Sequence, residues 1–81
     1  MARVLLFGRL ADIAGWRERL FEPTPATLSA LRGLVAEDDP ALAEALAGKG
    51  VTAAVAKVAV RGDVALSPGA EVAFMPPMSG G

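Results

Sequence analysis

A chain of 81 residues with neither cysteine nor histidine has to fold by apolar packing alone. No disulfide and no zinc site is available to staple it. One domain is expected at this length, with a core that is small relative to its surface. The material for that core is present, since 53% of the residues are apolar and only 21% charged, a globular rather than a disordered balance. The same two absences restrict the chemistry. The chain lacks a thiol nucleophile, an imidazole base and a soft metal site. Its formal net charge is −1 and its arginines are scattered, so no basic stripe for nucleic acid is formed. The apolar run Val4–Phe7 is too short for a signal-peptide core, and Val51–Val60 is broken by Lys57 and too short to span a membrane. The expectation is a cytoplasmic protein that binds neither nucleic acid nor membrane.

Local patterns give the order of elements. Arg3–Phe7 is β-branched and apolar and ends at Gly8, which predicts a strand with Val4 and Leu6 on one face and Leu5 and Phe7 on the other. Leu10–Ala14 reads as one helical turn closed by Gly15. Trp16–Glu22 alternates imperfectly between apolar and charged residues and stops at Pro23, as an edge strand would. Thr27 has the character of a helix N-cap, and Leu28, Leu31 and Val35 then share a helical face to about Glu37. Asp39-Pro40 reads as an N-cap followed by proline at the first helical position, opening a short helix over Ala41–Ala47 that ends at Gly48. Thr52–Val60 is one strand or a tight hairpin turning near Ala56-Lys57. Arg61-Gly62-Asp63 is a turn, Ser67-Pro68-Gly69-Ala70 carries type II turn chemistry, and Glu71–Met75 is the last strand. A helix between an N-terminal hairpin and later strands packs across one sheet face. The expected class is therefore α+β: a β-grasp roll with a mixed sheet of about four to five strands and one main helix.

The sequence closes on Pro76-Pro77-Met78-Ser79-Gly80-Gly81. Two prolines favour the extended polyproline conformation and stiffen the root of this segment, whereas two glycines keep its tip slim. Extended, the six residues reach roughly 20 Å, at ~3.3–3.6 Å each. The expected division is a β-grasp domain over residues 1–75 and an extended reactive tail over residues 76–81. A slim terminus can thread into another protein's active site, which makes the α-carboxylate of Gly81 the candidate reactive group. A free α-carboxylate has a pKa near ~3.5, is ionised at neutral pH, and is a poor electrophile until activated. Adenylation is the common route. The acyl-adenylate then takes sulfur to give a thiocarboxylate, or an amine to give an amide.

The stretch Leu66-Ser67-Pro68-Gly69-Ala70-Glu71-Val72-Ala73-Phe74-Met75-Pro76-Pro77-Met78-Ser79-Gly80-Gly81 resembles the C-terminal signature of the small, sulfur-carrier subunit of molybdopterin synthase. Val4-Leu5-Leu6-Phe7 and Ala11-Asp12-Ile13-Ala14-Gly15 are similar to that family as well, so the resemblance spans the chain. It departs at Ala70, where the family often has Asp, and at Ala56-Lys57, where many members have Asn followed by a turn residue. The resemblance implies a ubiquitin-like β-grasp fold. It also implies an E1-like adenylyltransferase that consumes ATP on Gly81, a sulfurtransferase donor, and a large catalytic subunit of molybdopterin synthase, joined in a heterotetramer. Sulfur from the Gly81 thiocarboxylate would build the dithiolene of a cyclic pyranopterin monophosphate, with Gly80, Ser79, Met78, Pro77 and Pro76 lying in the partner's tunnel. The chain itself would be no enzyme and would bind no cofactor. Three other readings stand beside this one: a sulfur carrier for the thiazole of thiamine, a protein modifier whose Gly81 is joined to lysines, and a plain binding module with an incidental tail.

The alternation of the strands also predicts a partner surface. If Val4, Leu6, Val72 and Phe74 face the helix, then Leu5, Phe7, Ala73 and Met75 form an apolar patch on the opposite face. Phe7 and Met75, near the root of the tail, are the expected docking anchors, with Met78 beyond them. Gly48-Lys49-Gly50 lacks the spacing of a phosphate loop and reads as a turn.

Overall fold

The structure, a computed structural model, describes residues 1–77. Eight elements follow in order: β1 (Ala2–Leu6), α1 (Arg9–Ala14), β2 (Glu18–Phe21), α2 (Leu28–Val35), α3 (Pro40–Leu46), β3 (Thr52–Val55), β4 (Val58–Val60) and β5 (Glu71–Met75). The strands make one mixed sheet in the order β2-β1-β5-β3-β4. β5 is central, parallel to β1 and antiparallel to β3, while β1–β2 and β3–β4 are antiparallel outer pairs. This is the expected α+β β-grasp arrangement.

The alternation read from sequence sets which side is buried. Val4, Leu6, Val72 and Phe74 are buried and join Leu28, Leu31 and Val35 of α2 in one core. Leu10 and Ala11 of α1 and Leu42 and Leu46 of α3 belong to the same core, so all three helices cover one face of the sheet. Phe21 is the buried residue of β2, and the Trp16 ring lies 6.3 Å from it, centroid to centroid. The Arg19 guanidinium sits 4.9 Å from the centre of the Phe21 ring and 5.7 Å from that of Trp16, so a charged group covers both rings at this edge of the core.

The helix ends follow their chemistry. Gly15 takes a left-handed conformation (φ 81°) and closes α1, its N–H donating to the Ala11 carbonyl at 2.8 Å. Thr27 caps α2 and Asp39 caps α3, accepting from the N–H groups of Ala30 and Leu42 at 3.1 Å each. α2 is shorter than the periodicity suggested: it ends at Val35, not near Glu37. The chain tightens there, Glu37 N–H donating to the Leu34 carbonyl and Asp39 N–H to that of Ala36, which turns Asp39 into position to cap α3. α3 likewise ends at Leu46, ahead of Gly48. The strand expected over Trp16–Glu22 is limited to Glu18–Phe21, the span that pairs with β1.

Between Thr52 and Val60 the structure chooses the hairpin. Val55 pairs with Val58, and Ala56 and Lys57 both have positive φ, 51° and 68°. Ser67–Ala70 forms the expected turn, with Gly69 at φ 83° and Ala70 N–H donating to the Ser67 carbonyl at 3.1 Å. One pairing was not anticipated. Ala65 bridges Thr27, and Leu66 N–H reaches the Ala26 carbonyl at 2.9 Å, so the segment after β4 straps the entry to α2 and buries Leu66.

Candidate functional site

The candidate site begins where the central strand ends. β5 stops at Met75 because Pro76 and Pro77 bring no N–H to continue its ladders with β1 and β3. The last bond on the β1 side runs from Phe7 N–H to the Phe74 carbonyl at 3.2 Å. On the β3 side, Thr52 pairs with Met75. The chain therefore leaves the sheet from its middle, in line with its best-held strand.

Pro76 is half-buried and Pro77 exposed. Each rests against a glycine that adjoins a flanking strand. Pro76 lies against Gly8, just after β1, and Pro77 against Gly50, just before β3. Both glycines have positive φ, 55° and 83°. The Pro76–Pro77 root also forms one wall of an open cleft of about 730 Å³ between α1 and α3, into which Arg9, Ile13, Glu44 and Lys49 extend.

Phe7 and Met75 lie where the sequence placed them. Each follows the paired residues Leu6 and Phe74 by one position, so the two share the sheet face away from the helices at the end where Pro76 begins. Phe7 is 48% exposed and Met75 half-buried. Leu5, Leu20 and Ala73 extend this apolar face, Leu20 being 55% exposed. Its far end is polar: Arg3 Nε donates to Glu18 Oε2 at 2.6 Å, and a guanidinium nitrogen stands 3.7 Å from Glu71. The hydrogen bond and charge of Arg3 hold the Glu18 carboxyl below its ordinary range. The face is thus apolar beside the root and charged away from it.

Four expected site residues, Met78, Ser79, Gly80 and Gly81, lie outside the described residues. Phe7, Met75, Pro76 and Pro77 are brought together at one end of the molecule. The contribution of Gly8 and Gly50 was missed. A glycine after a strand and a Gly-Lys-Gly turn each signal unusual backbone, but neither reveals that a proline far along the chain packs on it. No helix among the described residues is long and apolar enough to cross a membrane.

Comparisons with known proteins agree with this geometry. The model of the ThiS family matches residues 4–81. The crystal structure of SAMP1 from Haloferax volcanii superposes with a TM-score of 0.84 at 26% identity, covering 99% of this chain and 98% of that one. A crystal structure of small archaeal modifier protein 1 from the same organism gives a TM-score of 0.82 at 24% identity, covering 95% and 97%. No curated protein matches the chain.

Proposed function

Because the chain belongs to the ThiS family of ubiquitin-like β-grasp sulfur carriers, we propose that Gly81 is its working group and that it serves molybdenum cofactor synthesis. The observation that carries this reading is the path of β5: the central strand runs straight into Pro76-Pro77, next to an exposed apolar face, with Gly80-Gly81 following in sequence. With no cysteine or histidine on the chain, the α-carboxylate is the group best suited to hold sulfur.

In this mechanism an E1-like enzyme binds the domain and positions Gly81 at ATP. A carboxylate oxygen attacks the α-phosphate and pyrophosphate leaves. The terminal sulfur of a sulfurtransferase persulfide displaces AMP to give an acyl disulfide, and a thiol then reduces its S–S bond, leaving the thiocarboxylate and a new disulfide. The loaded protein then docks on the large subunit of molybdopterin synthase through Phe7 and Met75, and residues 76–81 enter the partner. There the sulfur attacks a side-chain carbon of the cyclic pyranopterin monophosphate as that carbon's bond to oxygen breaks, and hydrolysis of the acyl link leaves sulfur on the pterin and restores the Gly81 carboxylate. The Pro76-Pro77 root supports the pterin pathway over thiazole synthesis, because it resembles the signature of the molybdopterin synthase carriers.

The likeness to SAMP1 favours a second reading, in which the Gly81 adenylate is captured by a lysine amine and the protein becomes a modifier. Intact and peptide mass spectrometry of the protein from its native cell distinguishes the two. The carrier reading expects one terminal oxygen exchanged for sulfur, and loss of the large synthase subunit should make that form accumulate. Lysine-linked Gly-Gly remnants support the modifier. A terminus that remains an unmodified carboxylate beside its activating enzyme and ATP would overturn both readings.

A further inference from the structure

We propose that Gly8 and Gly50 are positioning residues that clamp the Pro76–Pro77 root from both sides and so fix the direction of the chain at Pro77; for its effect on activation, this rests on the Gly81 reading above. A β-carbon at Gly8 would stand 3.0 Å from Pro76 Cγ, and one at Gly50 would stand 2.9 Å from Pro77 Cβ and 3.3 Å from its Cγ. Real β-carbons essentially never approach as closely as the 2.9 Å at Gly50, and the 3.0 Å at Gly8 is tighter than nine in ten such contacts, so a larger residue at either position requires its proline to give way. A change of ring pucker can move Pro76 Cγ, but the Pro77 Cβ and Cα that face Gly50 are fixed to the backbone, so the push there has no side-chain rotation to absorb it. Moving the ring moves the path of the chain.

The two contacts also come from independent parts of the sequence. Gly8 follows β1 and Gly50 precedes β3, the two strands that flank β5. The root is therefore held on both sides just where its ladder hydrogen bonds run out. The Gly-Lys-Gly segment, which carries no phosphate-loop spacing, has a role in this arrangement: its second glycine leaves room for Pro77. Stiff prolines alone keep the root straight, but a straight rod on a free pivot still points anywhere. The clamp supplies the pivot's fixed angle, and a partner that must place one carboxylate at one phosphate gains from it.

Positive φ alone makes both glycines costly to replace, so the test has to separate backbone strain from the clash with proline. Gly62 also has positive φ (68°), but a β-carbon there meets nothing within 4 Å. Gly62→Ala therefore imposes strain without a clash. The first measurement is orientational: residual dipolar couplings of the Cα–Hα bonds of Pro76 and Pro77, fitted to the alignment of the sheet. In wild type and Gly62→Ala they should fit; in Gly50→Ala they should depart. The second is a mutant cycle. Pro76→Ala removes the Cγ that Gly8→Ala would strike, so Gly8→Ala should disturb the couplings of residue 77 in the native background and not in the Pro76→Ala background.

With the activating enzyme and ATP, Gly50→Ala should lower kcat for pyrophosphate exchange by roughly tenfold to a hundredfold while KM stays near that of wild type, because the docking face is untouched. Gly62→Ala should change neither constant. Native couplings in folded Gly50→Ala, or effects of Gly8→Ala that simply add to those of Pro76→Ala, would overturn the clamp. If wild type undergoes no exchange, the Gly81 reading fails, and the couplings still decide the clamp.

Discussion

Asp63 shows how a single side chain can complete a helix from far along the sequence. The first three N–H groups of α2 have no partners within the helix. Leu28 N–H donates to the Val64 carbonyl at 2.9 Å, Ser29 N–H to Asp63 Oδ1 at 2.7 Å, and Ala30 N–H to Thr27 Oγ1 at 3.1 Å. Thr27 was legible as a cap because a cap and its target lie three residues apart. Asp63 lies 34 residues from Ser29. In the sequence it is only the last residue of Arg61-Gly62-Asp63, where turn chemistry explains it fully. Capping by a distant carboxylate depends on the strap that brings residues 63–66 against residues 26–28, and local pattern carries no trace of it. Replacing a capping side chain by alanine costs about 0.5–2 kcal/mol. Asp63→Ala should fall near ~1 kcal/mol, because the site is exposed and water replaces part of the lost bond. Urea unfolding measures it; an unchanged midpoint would mean that Ser29 N–H is satisfied without the carboxylate.

The β3–β4 hairpin was open on sequence grounds because the usual turn signal is absent. Two-residue hairpin loops twist correctly when both central residues have positive φ, which favours Asn-Gly. Here Ala56 and Lys57 occupy those positions. Left-handed backbone costs an L-residue roughly 1–2 kcal/mol, so something else must hold the turn. The pairing supplies it: Ala53, Ala54 and Val55 bond with β5 on one side and with β4 on the other, and Val60 packs against the core. A single extended strand would forfeit the second ladder. Tertiary pairing thus overrules poor turn chemistry. It follows that the double change Ala56→Asn and Lys57→Gly should stabilise the protein by ~1 kcal/mol, since it relieves that strain at little cost in packing. A rise in the denaturation midpoint checks this, and a fall would show that the native turn is unstrained. The other elements were easier to read. β1 and β5 announced themselves by alternation, and their buried residues are those expected, because a strand covered on one face leaves a period of two in any sequence that forms it.

For the molecule as a whole, the decisive asymmetry is between the two sheet faces. α1, α2 and α3 cover one. The other presents Leu5, Phe7, Ala73 and Met75 toward the root at Pro76, with Leu20 farther off, opposite Arg3. This face was legible for the same reason the core was, since it is the complement of the buried set. The clamp was not, because it depends on contact between residues more than 25 positions apart rather than on a repeating pattern. Phe7 is the residue on which to test the face. Phe7→Asp replaces half-exposed apolar surface with charge and should leave stability within ~0.5 kcal/mol of wild type. If the protein docks as proposed, binding to the large synthase subunit should weaken at least about tenfold, as expected when an apolar anchor is lost. Calorimetry reads the affinity, and an unchanged value removes Phe7 from the interface.

The parallel pairing of β1 with β5 has a mechanical meaning. The strand that begins the fold and the strand that leads to Pro76 lie side by side and run the same way. Tension applied between Met1 and Pro77 therefore drags the two strands along one another in opposite senses. The hydrogen bonds from Arg3 to Phe74 then share the load together instead of opening one after another, as they would if the pair were peeled from an end. A pull on Met1 and Pro77 thus loads this ladder in shear, whereas a pull on the β3–β4 hairpin at the edge of the sheet opens its pairs one after another.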